Sequence, residues 1–281
     1  MLYDIRKMTI DDIPDGQRLR ALAGWNQTES DWRRLLELEP EGCFVACIDG
    51  AVRGTVTTTS YEKRFGWVGM VLVDPDFRRH GMGTQLLLKG IEYLEQSGVE
   101  TVKLDATPMG KLVYDRIGFV EEYLIERWEG AAPADYERAL EEIKHSDWEK
   151  VLELDKRAFG ADRSRLVERL YRDYPELSAV AYKDGQIAGY ALGRRGMLAN
   201  YLGPWVAIDK ATAQQLFQSV ISMWPRERFF VDVNLASPCA KEIAAGYGLT
   251  AQRPLIRMYR GPNNFPGEPQ LVCGIAGPEI G

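Results

Sequence analysis

The sequence has few of the residues that most metal and catalytic sites use. Only two histidines occur in 281 residues, which excludes most histidine-based metal sites and catalytic triads. The four cysteines lack the spacing of metal ligands, because Cys43 and Cys47 share one apolar run while Cys239 and Cys273 stand apart. We therefore expect four reduced, buried thiols and no bound metal.

Two further absences limit the class of protein. No apolar run approaches the roughly 18–20 residues of a membrane helix, and the first residues lack the pattern of a signal peptide. With 35 Lys and Arg against 41 Asp and Glu, the chain has a net charge of −6, which does not favour a nucleic-acid partner. These features predict a cytoplasmic globular protein without a membrane or nucleic-acid partner. We expect a monomer or a homodimer, and the sequence does not distinguish them.

The chain contains an internal repeat. Residues 8–54 align without a gap with residues 143–189. Identical pairs include Leu19/Leu154, Ala23/Ala158, Pro40/Pro175, Val45/Val180, Asp49/Asp184 and Gly54/Gly189. Each copy has the pattern of a helix, a strand, an Asp-Gly turn and a second strand. The repeat predicts two related domains, 1–130 and 131–281, with a linker at residues 129–137.

The second copy departs from the first at one place. Residues 84–119 align with residues 214–249, but only if a short segment corresponding to residues 78–80 is missing from the second copy. The second copy also has Ala244 where the first has Tyr114. We therefore expect one active site per chain, in the N-terminal half.

The segment VDPDFRRHGMG, residues 73–83, lies where a predicted strand leads into a predicted helix. Backbone N–H groups at a helix start point outward, and glycine lets another molecule approach them closely. Arg78 and Arg79 add positive charge at the same turn. The spacing alone allows two interpretations, a phosphate site or a glycine-containing helix start with solvated arginines.

This segment resembles the acyl-CoA pyrophosphate motif of the GNAT superfamily of N-acetyltransferases, Q/R-x-x-G-x-G/A. Arg78, Gly81 and Gly83 stand at its three fixed positions. A second family-like signature, Tyr-x-x-x-Gly-Phe, begins at Tyr114. The resemblance implies an α/β (α+β) fold of two tandem GNAT-like domains, each a mixed, mostly antiparallel sheet flanked by helices. The second domain is then a degenerate copy.

The resemblance also implies acetyl-CoA as a co-substrate and a set of residues that contact it. The acyl and pantetheine portion would contact the backbone of Val71, Leu72 and Val73. It would also contact Thr107, at a position where many members of the family have Asn. The pyrophosphate would be enclosed by Arg78, Arg79, His80, Gly81, Met82, Gly83 and Thr84.

The chemistry implied is transfer of an acetyl (acyl) group to a primary amine of a small molecule or protein. N–H groups near the end of the fourth strand would polarise the thioester carbonyl, and Tyr114 would protonate the leaving thiolate. The general base stays open between Glu62, Asp105 and water. Segments that flank the acceptor in the family carry Trp25, Asn26, Trp32 and Trp67.

Two alternatives remain at this point. One is a non-catalytic acyl-CoA sensor, in which the first half binds the cofactor and the second regulates a partner. The other is acyl transfer from aminoacyl-tRNA, which the acidic composition disfavours.

Overall fold

The computed structural model describes residues 2–281 as a series of alternating strands and helices. The first half consists of β1 (Asp4–Lys7), α1 (Ile13–Leu22), α2 (Glu29–Leu38), β2 (Phe44–Ile48), β3 (Ala51–Tyr61), β4 (Phe65–Val73), α3 (Met82–Gln96), β5 (Val102–Ala106), α4 (Pro108–Tyr114) and β6 (Val120–Ala131). The second half consists of α5 (Trp148–Phe159), α6 (Ser164–Asp173), β7 (Ser178–Lys183), β8 (Gln186–Arg194), β9 (Asn200–Ala207), α7 (Lys210–Ile221), β10 (Arg228–Asn234), α8 (Ala240–Gly246), β11 (Thr250–Arg260) and β12 (Val272–Gly274).

The strands form one sheet that runs through both halves. Its order is β1-β2-β3-β4-β5-β11-β6-β10-β12-β9-β8-β7. Within the named strands of residues 2–281, the pairings are antiparallel except β4 with β5 and β9 with β10. The predicted fold class, a tandem α/β arrangement with mixed, mostly antiparallel sheets and flanking helices, is confirmed.

The two halves exchange a strand, which the sequence did not predict. β6 follows α4 in the first half, and β11 holds the equivalent place after α8 in the second. In the sheet, however, β11 lies between β5 and β6, and β6 pairs with β10. Backbone hydrogen bonds therefore join the halves. The proposed linker at residues 129–137 begins inside β6, because pairing with β10 continues to Ala131.

The repeated Asp-Gly turns show why the local pattern gives the same hairpin twice. Asp49 and Gly50 have φ of 51° and 79°, and Asp184 and Gly185 have φ of 51° and 74°. Two successive positive φ angles match the twist of a two-residue hairpin, and Asp-Gly tolerates them. The turns fix the registers of β2 with β3 and of β7 with β8.

Helices cover both faces of the first half. Leu86 and Ile91 of α3 pack in one apolar cluster with Val68 of β4. Trp32 of α2 packs in another cluster with Trp67 of β4. Because side chains alternate across a strand, residues of β4 serve both layers. The sheet thus separates an α3 face from an α1/α2 face.

The last strand along the chain, β12, is formed by the C-terminal segment. Three cysteines are buried, but Cys239 is half-buried at the start of α8, so the expectation of burial was wrong there. Within residues 2–281, no helix combines the length and apolarity that crossing a membrane requires.

Candidate active site

A cleft opens between β4 and β5, the two parallel strands of the first half. They pair only where they begin, at Gly66 with Val102 and Trp67 with Lys103. Beyond that point β4 continues to Val73 and β5 to Ala106 without pairing to each other. The backbone of β4 therefore faces an opening on this side.

A β-bulge lies in the part of β4 that does not pair with β5. Thr57 pairs with Gly69 and Thr55 with Leu72, so that Met70 and Val71 together oppose one residue of β3. Met70 has φ of 49°, a conformation uncommon for a side chain of this size. A bulge interrupts the ladder and re-aims the backbone. The predicted contacts of Val71, Leu72 and Val73 thus fall on a distorted strand end beside the cleft.

The N-terminus of α3 lies at the end of this cleft without a side-chain cap. The residue before the helix is Gly81, with φ of 81°, and no side chain of residues 2–281 caps the first N–H groups. A Cβ built at Gly83 would lie 3.3 Å from Val73 Cγ2, so glycine allows close helix-to-strand packing here. Unbonded N–H groups and the helix dipole make this end suited to an anion.

Arg78 and Arg79 flank the uncapped helix. Both are exposed, and the Nε of Arg78 donates to the carbonyl of Val73 over 3.0 Å. That bond fixes the base of the guanidinium beside the cleft. Arg79 has φ of 66°, within the left-handed region. Two positive side chains and a helix N-terminus therefore surround one space.

That space is a cavity of about 800 Å³. Of the predicted site residues it is lined by Val71, Leu72, Val73, Arg78, Arg79, Gly81, Met82, Gly83, Thr84, Thr107 and Tyr114. His80 is exposed and is not among the lining residues. The structure thus brings together the predicted residues from β4, the turn, α3 and α4, with the exception of His80.

Tyr114 ends α4 and lies against the cavity wall. Its ring packs on Phe119, with centroids 6.0 Å apart, and against Gly110, where a Cβ would lie 3.1 Å from the ring. Burial raises the pKa of Tyr114 to about 12, which keeps the hydroxyl protonated at neutral pH. A proton donor therefore lines the cavity.

Thr107 begins α4 as its N-cap. Its Oγ1 accepts a hydrogen bond from the Gly110 N–H over 3.1 Å. The hydroxyl hydrogen is still free to donate, because the cap uses only the oxygen as acceptor. Thr107 thus retains one polar group for a ligand.

Both carboxylates considered as general base are held in other interactions. Glu62 bonds Lys156 and the Asp162 N–H, in the turn before β4, roughly 25–30 Å along the strand from Val73. Asp105 is fully buried, and Arg257 bonds both of its oxygens, each over 2.9 Å. Neither lines the cavity. The structure therefore places both candidates outside the cavity, and of the described lining residues none is Asp, Glu or His.

Of the four residues expected near the acceptor, only Trp25 lines the cavity. Trp32 is fully buried in the α1/α2 core, and the Trp67 Nε1 donates to the Pro278 carbonyl over 3.0 Å. Asn26 connects the two halves, because its side-chain amide donates to the Ala199 carbonyl and accepts from the Ala199 N–H. The remaining three are therefore structural.

Sequence reasoning missed several lining residues. They are Leu22, Ala23, Phe77, Leu87, Pro108, Met109, Gly110, Val113, Arg253 and Pro254. Arg253 and Pro254 belong to the second half and reach the cavity because β11 is inserted beside β5. Nothing in the local sequence around Arg253 indicates that position, because it depends on the strand exchange.

The equivalent cleft of the second half is filled by the chain itself. β12 inserts between β9 and β10, pairing Val272 with Val206 and Gly274 with Val233. The end of α7 that corresponds to the open end of α3 is capped, since Asp209 accepts from the Thr212 N–H over 2.8 Å. The second half therefore keeps the same strands and helices, but β12 fills its cleft and Asp209 caps its helix N-terminus, so neither is open to a cofactor.

Comparison with known proteins agrees with this geometry. Residues 9–119 match the acetyltransferase (GNAT) family, and residues 151–274 match the acetyltransferase (GNAT) domain. The chain is 24% identical to the uncharacterized N-acetyltransferase YitH of Bacillus subtilis (strain 168) over 211 residues, 71% of each chain. It is 32% identical to the uncharacterized N-acetyltransferase MJ1207 of Methanocaldococcus jannaschii over 145 residues, 45% of this chain and 64% of the relative.

The crystal structure of a putative acetyltransferase from Pyrococcus horikoshii has the same fold. It superposes with a TM-score of 0.85 at 24% identity, covering 99% of this chain and 96% of the other. Both halves of the sequence match the same family, and one half has the open cleft while the other has it filled. The chain belongs to the GNAT superfamily of N-acetyltransferases, as a tandem protein with a degenerate second copy.

Proposed function

We propose that the protein transfers an acetyl group from acetyl-CoA to a primary amine, of a small molecule or a protein, in a ternary complex. One observation carries the proposal. The open β4/β5 cleft ends at an uncapped helix N-terminus flanked by Arg78 and Arg79, and Tyr114 lines the same cavity. An anion site, a slot for an extended chain and a proton donor are thus combined.

The residues present fit acetyl-CoA. The pyrophosphate would meet the α3 N–H groups and the two arginines, which supply charge-assisted hydrogen bonds. The pantetheine would lie along the unpaired backbone of Val71 to Val73, and Thr107 can donate to it. In this arrangement the N–H groups at the β4 bulge stabilise negative charge on the thioester oxygen.

Tyr114 completes the proposed reaction. When the amine attacks the thioester carbon and the C–S bond breaks, the Tyr114 hydroxyl gives its proton to the sulfur. Its burial-raised pKa of about 12 means that it carries that proton throughout the neutral range. Because no carboxylate or imidazole is among the described lining residues, the amine either arrives neutral or first loses a proton to water. The nitrogen loses one further proton to water as the amide forms, and water returns a proton to the Tyr114 oxygen.

A turnover assay tests the proposal. Thiol release from acetyl-CoA is measured over a panel of primary amines, and mass spectrometry identifies the acetylated product. We expect amine-dependent release that Tyr114→Phe slows by about a hundredfold or more while acetyl-CoA still binds. Binding of acetyl-CoA without amine-dependent turnover would instead favour an acyl-CoA sensor, and absence of binding would overturn the site itself.

A further inference from the structure

Arg253 enters the cavity from the second half of the chain. It lies near the start of β11, where Ala251 pairs with Trp128 and Arg253 with Arg127, so that Gln252 forms a bulge. β11 pairs with β5 only from Ile256 onward, opposite Ala106. Arg253 therefore extends past the end of β5, beside the open part of the cleft.

The side chain of Arg253 belongs to the α1/α2 face of the sheet. Leu255, two residues further along β11, packs in the cluster that contains Trp32 of α2. Ile256 and Met258 pack in the cluster of α3. Because alternate residues of a strand share a face, Arg253 lies on the side opposite the α3 N-terminus. It approaches the cavity from the face away from the proposed pyrophosphate site.

Arg253 has no partner of its own. Its guanidinium makes no hydrogen bond or ion pair among residues 2–281, although the side chain is more than half buried. The nearby carboxylate of Asp232 is already bonded by Arg127, over 2.8 and 2.6 Å, and by the Tyr201 hydroxyl over 3.0 Å. Burial and the charge of Arg127 lower the pKa of Arg253. A partly buried cation that no carboxylate contacts directly is unfavourable unless a ligand supplies such a contact.

We infer that the acceptor carries a carboxylate, and that Arg253 binds it. The inference rests on the proposed function and names the class of acceptor. The other described ionisable residues lining the cavity are Arg78, Arg79 and Tyr114, so no carboxylate there repels an anionic acceptor. A guanidinium binds a carboxylate through two parallel hydrogen bonds, which also orients the attached amine. Arg253 is a specificity residue and takes no part in the chemical step.

The carboxylate can come from a free amino acid or from an acidic side chain near a peptide N-terminus. Two matched pairs of acceptors separate these sources: glutamate against glutaminamide, its diamide, which has neither carboxylate, and a peptide amide beginning Ser-Glu-Glu against one beginning Ser-Gln-Gln. We expect the carboxylate member of one pair to have the higher kcat/KM, by about ten- to a hundredfold, the range of a hydrogen-bonded charge pair. The pair that shows the preference identifies the source.

Arg253→Gln is expected to reduce that preference to near unity, and Arg253→Glu to reverse it. The Kd of acetyl-CoA should change by less than about twofold in both variants, because Arg253 lies on the other face of the sheet. Arg172→Gln, on the exposed side of α6, is the matched control and should retain the preference. Equal kcat/KM within both pairs for the unmodified protein would overturn the inference and leave the proposed function standing.

Acceptor binding provides a readout that does not depend on turnover. Calorimetry measures glutamate or the acidic peptide binding to the protein saturated with coenzyme A. Binding that Arg253→Gln abolishes supports the inference even if no amine is acetylated, an outcome that would defeat only the proposed function. Binding that is unchanged in Arg253→Gln, or absent from the unmodified protein, overturns the inference.

Discussion

Arg127 on β6 and Asp232 on β10 hold each other through two hydrogen bonds of 2.8 and 2.6 Å. Both side chains are buried, Asp232 completely. The internal repeat assigns the two residues to different halves of the chain. The pair therefore exists only because β6 crosses into the sheet of the second half. The interaction between Arg127 and Asp232 thus stabilises the contact between the two halves.

Arg127→Leu should lower the free energy of unfolding by about 3–5 kcal/mol, because it leaves the Asp232 charge buried without its main partner. We expect one cooperative transition in urea for both proteins, since the halves share a sheet. Lys89→Gln, which removes a half-exposed pair with Glu92, should cost less than about 1 kcal/mol. Two separate transitions in the unmodified protein would contradict the importance of the exchange.

Tyr114→Phe should reduce kcat by about a hundredfold or more, the usual contribution of a general acid. Because the pKa of Tyr114 is raised to about 12, kcat/KM should rise with pH through the acceptor's amine pKa, about 8 for an α-amino group, and then level off. Tyr93→Phe is the control: the pKa of Tyr93 is also raised to about 12, but this residue does not line the cavity. A decline in rate just above neutral pH would show that another acid is used.

Arg78→Gln combined with Arg79→Gln should raise the Kd of acetyl-CoA by about tenfold or more, because each arginine provides a charge-assisted contact to phosphate. The effect should shrink as salt concentration rises. Thermal stability should hardly change, since both side chains are exposed and neither forms an ion pair among the described residues. An equal Kd for the variant and the unmodified protein would contradict the pyrophosphate assignment.

Gly69→Ala should destabilise the protein by about 1–3 kcal/mol or more. A Cβ at this position of β4 would lie 2.4 Å from the Glu279 carbonyl oxygen and 2.8 Å from its Cα, so the tail segment must move. Gly246→Ala in α8, where a Cβ meets nothing within 4 Å, should gain up to about 1 kcal/mol instead. Urea denaturation of both variants tests the contrast, and equal midpoints would show that the tail is loosely held.

Iodoacetamide should alkylate Cys239 before the other cysteines. The neighbouring Cys273 thiol and the Ser237 hydroxyl lower the pKa of Cys239 to about 6, which favours its reactive thiolate form. Burial raises the pKa of Cys43 to about 12, which keeps that thiol protonated and shielded. Peptide mapping after brief labelling measures the order, and Cys239→Ser should remove the fast phase. Labelling of Cys43 first would contradict this assignment.

Local sequence patterns determined the parts of the site that neighbouring residues build. The Gly81 and Gly83 turn, the apolar face of α3 and the two Asp-Gly hairpins all depend on conformations set within a few residues. Tyr114, which the family-like signature singled out, also lies beside the cavity. The missing segment in the second copy led us to expect one active site, in the first half, and the structure has an open cleft in the first half and a filled one in the second.

Tertiary structure decided which strands become neighbours and which charges are already paired. No local pattern indicates that β11 pairs with β5, that β12 fills the second cleft, or that Arg257 occupies both oxygens of Asp105. A strand carries the same alternation of side chains whichever partner it has, so its partner is chosen by long-range packing and hydrogen bonding. For this reason Arg253, from the second half, became visible as a cavity residue only in the folded chain.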